Sequence, residues 1–538
     1  MNCKHYCFLF FFILQLISQS TYCQKYDYNW LGGHRATGMN TRVIMEFDPS
    51  SISYDTFELK MYVEQSNFAI SDQEGNLQFY TNGNVVASWD HSIMEGGKGF
   101  NEGSFYDDFD YWLGDTINNY PYYLYQFMVI PDGIDEHVFY LIHAYIRSEW
   151  DANMAYNDKM QISKIDMSVN GGKGKVIYKN KYFVEEVFSR AFTLIEHGNG
   201  RDWWVVMRKH SGLEYRSILL SRDSVVEVVN SIISGLSNSG FSFDDSLYSS
   251  ISLLAVSPAG NKLIDNYGWN NIKLMDFDRC SGVVSLVDTF QIGDTRAVKY
   301  EIGGDSTVYI RPYDFFSFSP TGRFLYGVGY GDFSQWDLEA TDVTNSRVKL
   351  SGPSIFLDID QTPTTGFGGW KSFSLGPDGK IYNLFRHNHN VINYPDEKGL
   401  ACDFCLASDN LPSCLDVPYY LYSGYYPNYR LGALTGSGCD TISTSISTPG
   451  VSRFELTVYP NPASGPVQVE ITLPDYGRQD TELVIHDAMG REVHRHRYPP
   501  YAYLHTWDTS NVPNGTYILQ LISDQQTVAT SRVVVMRE

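Results

Sequence analysis

Two histidines in the third quarter of the chain have the type and spacing of metal ligands. His387 and His389 are separated by one residue, and alternate residues of a β-strand share a face, so both imidazoles could reach one ion. The alternative is a solvent-facing pair in a loop that follows Tyr382, and we favour this interpretation. The pair therefore does not by itself predict a metal site.

An acidic stretch supplies the oxygen ligands that calcium prefers, at Asp107, Asp108, Asp110 and Asp115. The stretch lacks the glycine-punctuated spacing of a known calcium loop, so a solvated charge cluster is the expected state. Calcium has no specific motif in its support, and we predict no metal and no cofactor.

Sequence motifs of hydrolases and nucleotide-binding proteins are missing, since the chain contains no G-x-S-x-G, H-E-x-x-H or Walker A sequence. No catalytic residue is predicted. Catalysis would require residues that meet only in three dimensions, and the first to consider are His197, His210, His387 and His389. The other basic residues that could join them are scattered, at Lys98, Arg147, Arg208 and Arg311.

Composition excludes one class of partner and allows a packed core. The formal net charge is −22, from 40 basic and 62 acidic residues, and a field of this sign repels phosphate backbones. Nucleic-acid binding is therefore not expected. The hydrophobic content of 43% is ample for a packed core.

A turn followed by an aromatic or branched strand recurs through residues 24 to about 440. Glycine provides the left-handed residue of each turn, and Pro, Asp or Asn shapes the corner before it. The intervals between successive turn glycines are 57 to 67 residues, which is typical of a repeat architecture. The glycines are Gly75, Gly133, Gly200, Gly260, Gly322 and Gly379.

The repeat predicts the fold of this region. One hairpin with flanking strands is the unit of a β-propeller blade, and the length of residues 24–440 allows about seven such units. The seventh would combine strands near Trp30 with the segment after Cys414. A long β-helix is the structural alternative, but its repeats are usually shorter. Within the repeats, the stretch from Val225 to Leu236 is compatible with a strand pair or with a short surface helix.

The C-terminal residues predict a second, smaller β-module. A Ser/Thr-rich linker occupies residues 441–452, and residues 453–538 follow it. Within them, apolar and polar residues alternate, as expected of strands with one buried face. The apolar rows are Val467, Val469, Ile471 and Leu473; Leu483 and Ile485; Tyr517, Leu519 and Leu521; and Val533 and Val535.

Several motifs of this module occur in a characteristic order. They run from Tyr459-Pro460-Asn461-Pro462-Ala463-Ser464 through Asp487-Ala488-Met489-Gly490-Arg491 to Asn514-Gly515-Thr516-Tyr517. The module closely resembles the type A C-terminal sorting domain of the type IX secretion system, an Ig-like β-sandwich. The residues that we take as the sorting-signal motif are Tyr459, Pro460, Asn461, Pro462, Gly490 and Gly515.

The resemblance implies a route rather than an activity. It implies handling by the type IX machinery and export through the periplasm across the outer membrane of a Bacteroidetes-type bacterium. Removal of the domain and attachment at the cell surface usually follow in that family; the sequence leaves open whether this chain is cleaved, anchored or released. The alternative is a sandwich appended for stability or adhesion.

Residues 24–440 carry a second resemblance. The stretches Asn29-Trp30-Leu31-Gly32, Phe79-Tyr80-Thr81-Asn82-Gly83 and Phe277-Asp278-Arg279-Cys280-Ser281-Gly282 are similar to those of secreted Bacteroidetes β-propeller proteins, which commonly carry this kind of sorting domain. These are turn and strand motifs. They imply a fold and provide no catalytic residues.

The N-terminus has the pattern of a secretory signal peptide over residues 1–23. Lys4 and His5 precede a short apolar run from Phe8 to Leu14, too short to span a bilayer. Cys23 suggests a lipoprotein as an alternative, but Tyr22 before it is bulkier than lipoprotein processing normally accepts. No later stretch of the sequence has the composition of a transmembrane segment.

Five cysteines remain after the predicted cleavage: Cys280, Cys402, Cys405, Cys414 and Cys439. Cys402 and Cys405 have the C-x-x-C spacing of zinc or redox sites, yet no second pair follows at zinc spacing. In an oxidising compartment one or two structural disulfides are the expected outcome, with the pairing left open.

The function that fits these features best is a secreted or surface propeller that binds a protein or glycan without catalysis. One alternative is a propeller-fold polysaccharide lyase or another carbohydrate-active enzyme that uses His, Tyr and Arg. Another is a structural component of an extracellular matrix or motility apparatus. A cluster of His, Arg and Tyr at one mouth of the propeller would favour the enzyme, whereas an aromatic platform without titratable neighbours would favour sugar binding.

Overall fold

The computed structural model is an all-β protein whose chain divides into two compact units, residues 1–442 and 443–538. The predicted signal peptide and linker lie outside the described residues. No helix in the described part of the chain is long and apolar enough to cross a membrane. The structure describes residues 24–33, 41–48, 51–59, 61, 63, 67–101, 127–149, 154–209, 212–234, 236, 254–267, 271–291, 315–328, 333–351, 373–386, 388–405, 415, 421–422, 425–439, 455–459, 461–472, 481–487, 490–498, 504–523 and 526–537.

Strands, most of them short, follow one another along the first unit. They are β1 (Asn29–Gly33), β2 (Thr41–Asp48), β3 (Ser51–Glu58), β4 (Phe68–Ser71), β5 (Leu77–Thr81), β6 (Val85–Ser88), β7 (Ile93–Lys98), β8 (Phe127–Pro131), β9 (Val138–Glu149), β10 (Met154–Asp166), β11 (Lys175–Glu196), β12 (Trp203–Lys209), β13 (Glu214–Ser221), β14 (Ser224–Ile232), β15 (Ala255–Val256), β16 (Lys262–Tyr267), β17 (Asn271–Phe277), β18 (Val284–Gln291), β19 (Phe315–Phe318), β20 (Phe324–Val328), β21 (Phe333–Asp337), β22 (Val348–Ser351), β23 (Ser374–Leu375), β24 (Ile381–Arg386), β25 (Asn388–Ile392), β26 (Phe404–Cys405) and β27 (Leu421–Tyr422). Short 3-10 turns lie at Asn170–Gly172, Thr344–Ser346 and Gly399–Cys402.

Hydrogen bonds join these strands into meanders in chain order. The meanders are β1–β3, β4–β7, β8–β11, β11–β14, β15–β18, β19–β22 and β23–β26. The long strand β11 belongs to two of them, because its residues up to Phe188 pair with β10 and its residues from Phe188 onward pair with β12. Consecutive pairing of this kind needs only short connections between strands.

Apolar cores fill the spaces between neighbouring meanders. Phe57 on β3 meets Tyr80 on β5 with ring centroids 5.7 Å apart. Trp30 on β1 meets Tyr382 on β24 at 5.6 Å, so the β23–β26 meander packs on the β1–β3 meander. The other cores join β4–β7 to β8–β14, β11–β14 to β15–β18, β15–β18 to β19–β22, and β19–β22 to β23–β26. The described meanders therefore follow one another in a nearly closed circle, in which β4–β7 and β8–β14 belong to one 11-stranded sheet through the parallel pairing of β7 with β11 at Glu95 and Lys175.

Five of the six recurring turns have the geometry that the sequence predicts. The turn glycine has a φ between 69° and 98° and donates its N–H to the carbonyl three residues earlier, at 2.8 to 3.2 Å. These glycines are Gly75, Gly200, Gly260, Gly322 and Gly379. Gly133 does not adopt a left-handed φ; there the Asp132 carboxylate shapes the turn by accepting from the Ile134 N–H at 2.9 Å.

The structure settles one open alternative of the sequence analysis and corrects one expectation. The stretch that left helix and strand open contains β14, a strand with a largely exposed face, in keeping with its β-branched residues. Residues 421–422 were expected to join the N-terminal strands, but their hydrogen-bonded partner is β24. The β1–β3 meander is built from the N-terminal segment itself.

The second unit consists of two sheets around one core. One sheet has the order β28 (Glu455–Tyr459), β29 (Val467–Thr472), β32 (Leu504–Trp507); the other has the order β31 (Glu492–Tyr498), β30 (Thr481–His486), β33 (Gly515–Ser523), β34 (Gln526–Val535). The predicted apolar rows are confirmed as buried core, apart from Leu473, which lies outside the described residues.

Candidate binding cavity

A cavity of about 370 Å³ lies where the first strands of several meanders meet. Strands β15, β19 and β23 contribute Val256, Phe316, Ser317, Phe318 and Ser374 to its wall. Thr193 on β11 and Asp27 before β1 line it from the other side. The rest of the wall comes from the segment Tyr425–Arg430, which we call the tail segment.

Three of the recurring turns form the rim of this cavity. Pro258, Pro320 and Pro377 all line it, and each stands one residue after the carbonyl that accepts the turn hydrogen bond. Successive turns are close, since a Cβ atom built on Gly322 would lie 3.9 Å from Pro258, and one built on Gly379 would lie 4.0 Å from Pro320. The repeat detected in the sequence therefore builds one continuous rim.

The tail segment is fastened to several meanders by polar contacts. Tyr426 donates its hydroxyl to the Asn29 carbonyl at 3.2 Å and stacks on Trp30, with ring centroids 5.7 Å apart. Asn428 donates to the Pro258 carbonyl at 2.6 Å, and Tyr429 donates to the Val129 carbonyl at 2.6 Å. These contacts fix the segment as a wall of the cavity.

Among the described lining residues, the charged side chains are the two members of one ion pair. The Arg430 guanidinium contacts both carboxylate oxygens of Asp27, with Nη1 3.0 Å from Oδ2. A bidentate pair of this kind neutralises both partners. The remaining polar groups of the wall are neutral side chains, among them Thr193, Ser317, Ser374 and Asn428.

Aromatic rings give the cavity its apolar surface: Phe316, Phe318, Phe373, Tyr425 and Tyr426. Burial raises the pKa of Tyr425 to about 12, so its hydroxyl stays protonated at neutral pH. Among the described lining residues there is no histidine, and the carboxylate of Asp27 is held by Arg430. The wall therefore offers ring faces and neutral hydrogen-bonding groups rather than an acid–base pair.

The histidines that sequence reasoning considered first are not placed in this wall. His197 accepts the Asn199 N–H at its Nδ1, at 3.1 Å, and its Nε2 lies 3.1 Å from the Cys280 carbonyl, so it holds a turn. His389 is 2% exposed and lies on strand β25. The favoured interpretation of a solvent-facing loop is therefore wrong for His389, because the strand turns that side chain inward. His210 and His387 lie outside the described residues.

Arg208, one of the scattered basic residues, belongs to a buried charge cluster between two meanders. Its Nη1 lies 2.6 Å from Asp265 Oδ1, and Lys273 Nζ lies 2.9 Å from Asp265 Oδ2. Tyr215 donates its hydroxyl to the same carboxylate. Burial alone would raise the pKa of Asp265, but Arg208 and Lys273 outweigh it and lower that pKa. Both cations thus share one carboxylate, and the cluster joins β12 and β13 to β16 and β17.

Of the other candidates, Lys98 is exposed at the end of β7. The side chain of Arg147 and the whole of Arg311 lie outside the described part, as does the acidic stretch that includes Asp107, Asp108, Asp110 and Asp115.

The cysteines form structural bridges, as expected. Cys280 is bonded to Cys439, and Cys405 is also disulfide-bonded. Cys402 is a free, buried thiol, and burial raises its pKa to about 11. The C-x-x-C pair is thus split between a bridge and an inert thiol. Cys414 lies outside the described residues.

Two of the sorting-signal motif residues, Asn461 and Gly490, make hydrogen bonds within the C-terminal module. Asn461 donates its side-chain amide to the Arg532 carbonyl at 2.8 Å and accepts the Val534 N–H at 3.0 Å. Gly490 has a φ of +77° and closes the turn from Asp487, while Gly515 begins β33. Tyr459 ends β28, Pro462 is exposed, and Pro460 lies outside the described residues. Their recognition by a secretion machinery stays a prediction.

Sequence reasoning missed the tail segment and its partner Asp27. The one signal that could have indicated it is its composition, with three tyrosines in the five residues from Tyr425 to Tyr429. Aromatic residues at this density outside a regular strand indicate a segment that packs against something else.

Solved structures with partial likeness come from bacteria and yeasts. Hsv2 of Kluyveromyces lactis is 9% identical with a TM-score of 0.31, covering 65% of this chain and 86% of that one. Sqt1 of Saccharomyces cerevisiae is 8% identical with a TM-score of 0.34, covering 84% and 95%. An extracellular domain of a two-component system of B. thetaiotaomicron is 11% identical with a TM-score of 0.27, covering 95% and 56%. These TM-scores are too low to carry an argument.

Sequence comparison gives a clearer result for the second unit. No curated protein matches the chain. Residues 457–536, however, match the model of the secretion system C-terminal sorting domain, which indicates secretion or cell-surface localisation. This match covers the module that the Tyr459–Ser464, Asp487–Arg491 and Asn514–Tyr517 motifs pointed to, and the C-terminal part of the chain is therefore similar to a secretion sorting domain.

Proposed function

We propose that residues 24 to about 440 form one β-propeller of seven blades and that residues 453–538 form an Ig-like β-sandwich. Support for the propeller comes from the circle of antiparallel meanders, in which Trp30 of the β1–β3 meander packs on Tyr382 of the β23–β26 meander. Support for the sandwich comes from the two sheets of the second unit and their common core.

The proposed route is export by the type IX secretion machinery of a Bacteroidetes-type bacterium. The sorting-domain match over residues 457–536 supports it. The chain would pass through the periplasm and reach the outer-membrane surface or the medium. Its acidic net charge of −22 is compatible with solubility outside the cell.

The propeller acts in this proposal as a non-catalytic binding module, and its ligand occupies the cavity at the first strands. The observation that carries the proposal is the composition of the wall: aromatic faces and hydroxyl groups, with charge present as the Asp27–Arg430 pair. Such a wall can stack on a ring and hydrogen-bond to its substituents. Among the described lining residues the one carboxylate, Asp27, is engaged by Arg430 rather than free to exchange protons with a substrate.

A cavity-filling variant tests the proposal. Ser317 lines the cavity, so Ser317→Tyr should fill it, whereas Ser285 is exposed on β18 and Ser285→Tyr is the matched control. Parent and variants are applied to a glycan array that includes bacterial, algal and plant polysaccharides, and hits are quantified by isothermal titration calorimetry.

The expected result is saturable binding by the parent and by Ser285→Tyr, with a loss of at least about tenfold in Ser317→Tyr. The bound glycan should be recovered with its chain length unchanged. Binding that survives Ser317→Tyr in a folded protein would place the ligand elsewhere. Shortened or unsaturated products that appear with the parent would show a carbohydrate-active enzyme instead.

A further inference from the structure

One tryptophan of the first unit lies on the surface rather than in a core. Trp89 is 45% exposed, whereas the other tryptophans in the described part of the chain are buried. It follows β6, in the turn that leads to β7. Burying the whole indole ring would stabilise a core, and at this position the protein forgoes part of that stabilisation. The exposed surface of the ring is therefore available to a ligand.

Three contacts between two turns hold the Trp89 ring in place. Its Nε1 donates to the Gly172 carbonyl at 2.8 Å, in the short 3-10 turn between β10 and β11. The preceding residue, Ser88, donates its hydroxyl to the Lys173 carbonyl. The following residue, Asp90, has its Oδ2 2.6 Å from Lys173 Nζ. Because the indole N–H is already bonded and both neighbours are tied to the same turn, the ring loses little freedom when a ligand stacks on it.

The residues next to the ring in these two turns provide open space and hydrogen-bonding groups. A Cβ atom built on Gly171 or Gly172 would meet no other atom within 4 Å. Hydrogen bonds from Lys173 and Ser92 lower the pKa of Asp90 to about 2, so it is a carboxylate at neutral pH. An ammonium has three donors and a carboxylate about four acceptor positions. Asp90 and Lys173 can therefore bond to a ligand while they remain paired with each other.

A ring that is apolar on its face and hydroxylated at its edge fits these surroundings better than a protein side chain or a cation does. The C–H groups of a pyranose ring can stack on the indole, and its hydroxyl groups can bond to the charged groups beside it. A hot spot for a protein partner needs apolar neighbours that exclude water from the tryptophan, whereas Trp89 has Asp90, Gly172 and Lys173. A ligand cation could be attracted by the indole face, but the Lys173 ammonium would repel it.

We propose that Trp89 is the stacking platform of a second carbohydrate-binding site, with Asp90 and Lys173 as its hydrogen-bonding groups and a pyranose unit of a polysaccharide as its ligand. The described lining of the cavity contains none of these residues. The site therefore does not depend on the cavity binding a glycan. If both bind the same long polysaccharide, the two sites together raise the avidity of the chain for it.

The test uses the full-length protein and three soluble polysaccharides with different pyranose units: xyloglucan, galactomannan and amylopectin. Native affinity electrophoresis measures retention by each polysaccharide, and calorimetric titration with the matching oligosaccharide gives the affinity. Trp89→Ala should weaken binding by about tenfold or more, and Trp89→Phe, which keeps an aromatic face, by about threefold. The matched control is Tyr394→Ala, which removes another exposed aromatic ring of the first unit and should stay within about twofold of the parent.

Each titration is repeated on the Ser317→Tyr background, in which the cavity is filled, so that the two sites are measured separately. Retention by none of the three polysaccharides, or unchanged binding in a folded Trp89→Ala variant, would overturn the proposal. So would an equal loss in Tyr394→Ala, which would show nonspecific adhesion, or an equal loss in Trp89→Phe and Trp89→Ala, which would show that the ring only braces the two turns. Binding that disappears in Ser317→Tyr alone would assign the glycan to the cavity and leave none at Trp89.

Discussion

Replacing Asp265 by leucine should destabilise the first unit by several kcal/mol. The Asp265 side chain is 0% exposed, and its partners Arg208 and Lys273 are 2% and 1% exposed. The substitution leaves two cations in an interior that water does not reach, and Tyr215 loses the acceptor of its hydroxyl. Leucine fills a similar volume, so the cost reports the uncompensated charges rather than a cavity.

The magnitude follows from what a buried ion pair costs when one partner is removed, about 3–5 kcal/mol. Deprotonation of Lys273 can reduce this destabilisation, because the pKa of Lys273 is already lowered by burial and falls further without Asp265 beside it. A neutral lysine costs less to bury than an ammonium. The destabilisation should therefore be close to about 5 kcal/mol at pH 6 and smaller at pH 9. The triple variant Arg208→Met, Asp265→Leu, Lys273→Met should recover most of the loss, since an apolar replacement of a whole buried ion cluster is often neutral or stabilising.

Urea unfolding of the purified chain, followed by tryptophan fluorescence at several pH values, measures these differences. A loss below about 1 kcal/mol in Asp265→Leu would refute the reasoning. It would mean that the cations are solvated in the protein, and Arg208 would return as a candidate for chemistry. A triple variant as unstable as the single variant would refute the view that the cluster joins the meanders by charge pairing alone.

Three further predictions concern other parts of the molecule. Burial raises the pKa of the Glu196 carboxyl to about 7, although the hydrogen bond that this carboxyl accepts from the Gly432 N–H partly offsets the shift. Because the folded state then holds the proton more tightly than the unfolded state, the free energy of unfolding falls as pH rises from about 4.5 to 7. The free energy of unfolding of Glu196→Gln, measured by urea unfolding, should exceed that of the parent by up to about 3 kcal/mol at pH 8 and by nearly nothing at pH 4.5. An equal difference at both pH values would contradict this. Gly322→Val should lower the free energy of unfolding by about 1–2 kcal/mol, because Gly322 has a φ of +76°, which a β-branched residue adopts only with strain. A change near zero would show that the turn can relax. Deletion of residues 453–538 should leave a folded protein in the periplasm, and cell fractionation that finds the truncated protein at the surface would refute the sorting role.

The local features of the fold could be read from the sequence because they depend on neighbouring residues. The turn at Gly322 is set by its own φ and by the Ser319 carbonyl three residues before, and both lie within one short stretch. The apolar row from Val467 to Ile471 alternates within six residues. Composition left β14 open between helix and strand, since β-branched residues at helical spacing satisfy both patterns.

The cavity could not be predicted in the same way, because its parts are distant along the chain. Asp27 and Arg430 are 403 residues apart. The buried charge cluster outside the cavity was missed for the same reason, since Arg208 and Asp265 are 57 residues apart. A pairing of that kind is set by how the meanders close into a circle rather than by local pattern.

The location and fate of the bound ligand test the central claim most directly. Hydrogen–deuterium exchange of the full chain, with and without a glycan identified on the array, reports where the ligand protects the backbone, and mass spectrometry of the recovered glycan reports whether it was altered. We predict protection within residues 255–258, 316–320, 373–379 and 425–430, which contain most of the lining residues of the cavity, and an intact glycan. Protection confined to other residues, or a glycan that is returned cleaved, would contradict the account of a binding propeller.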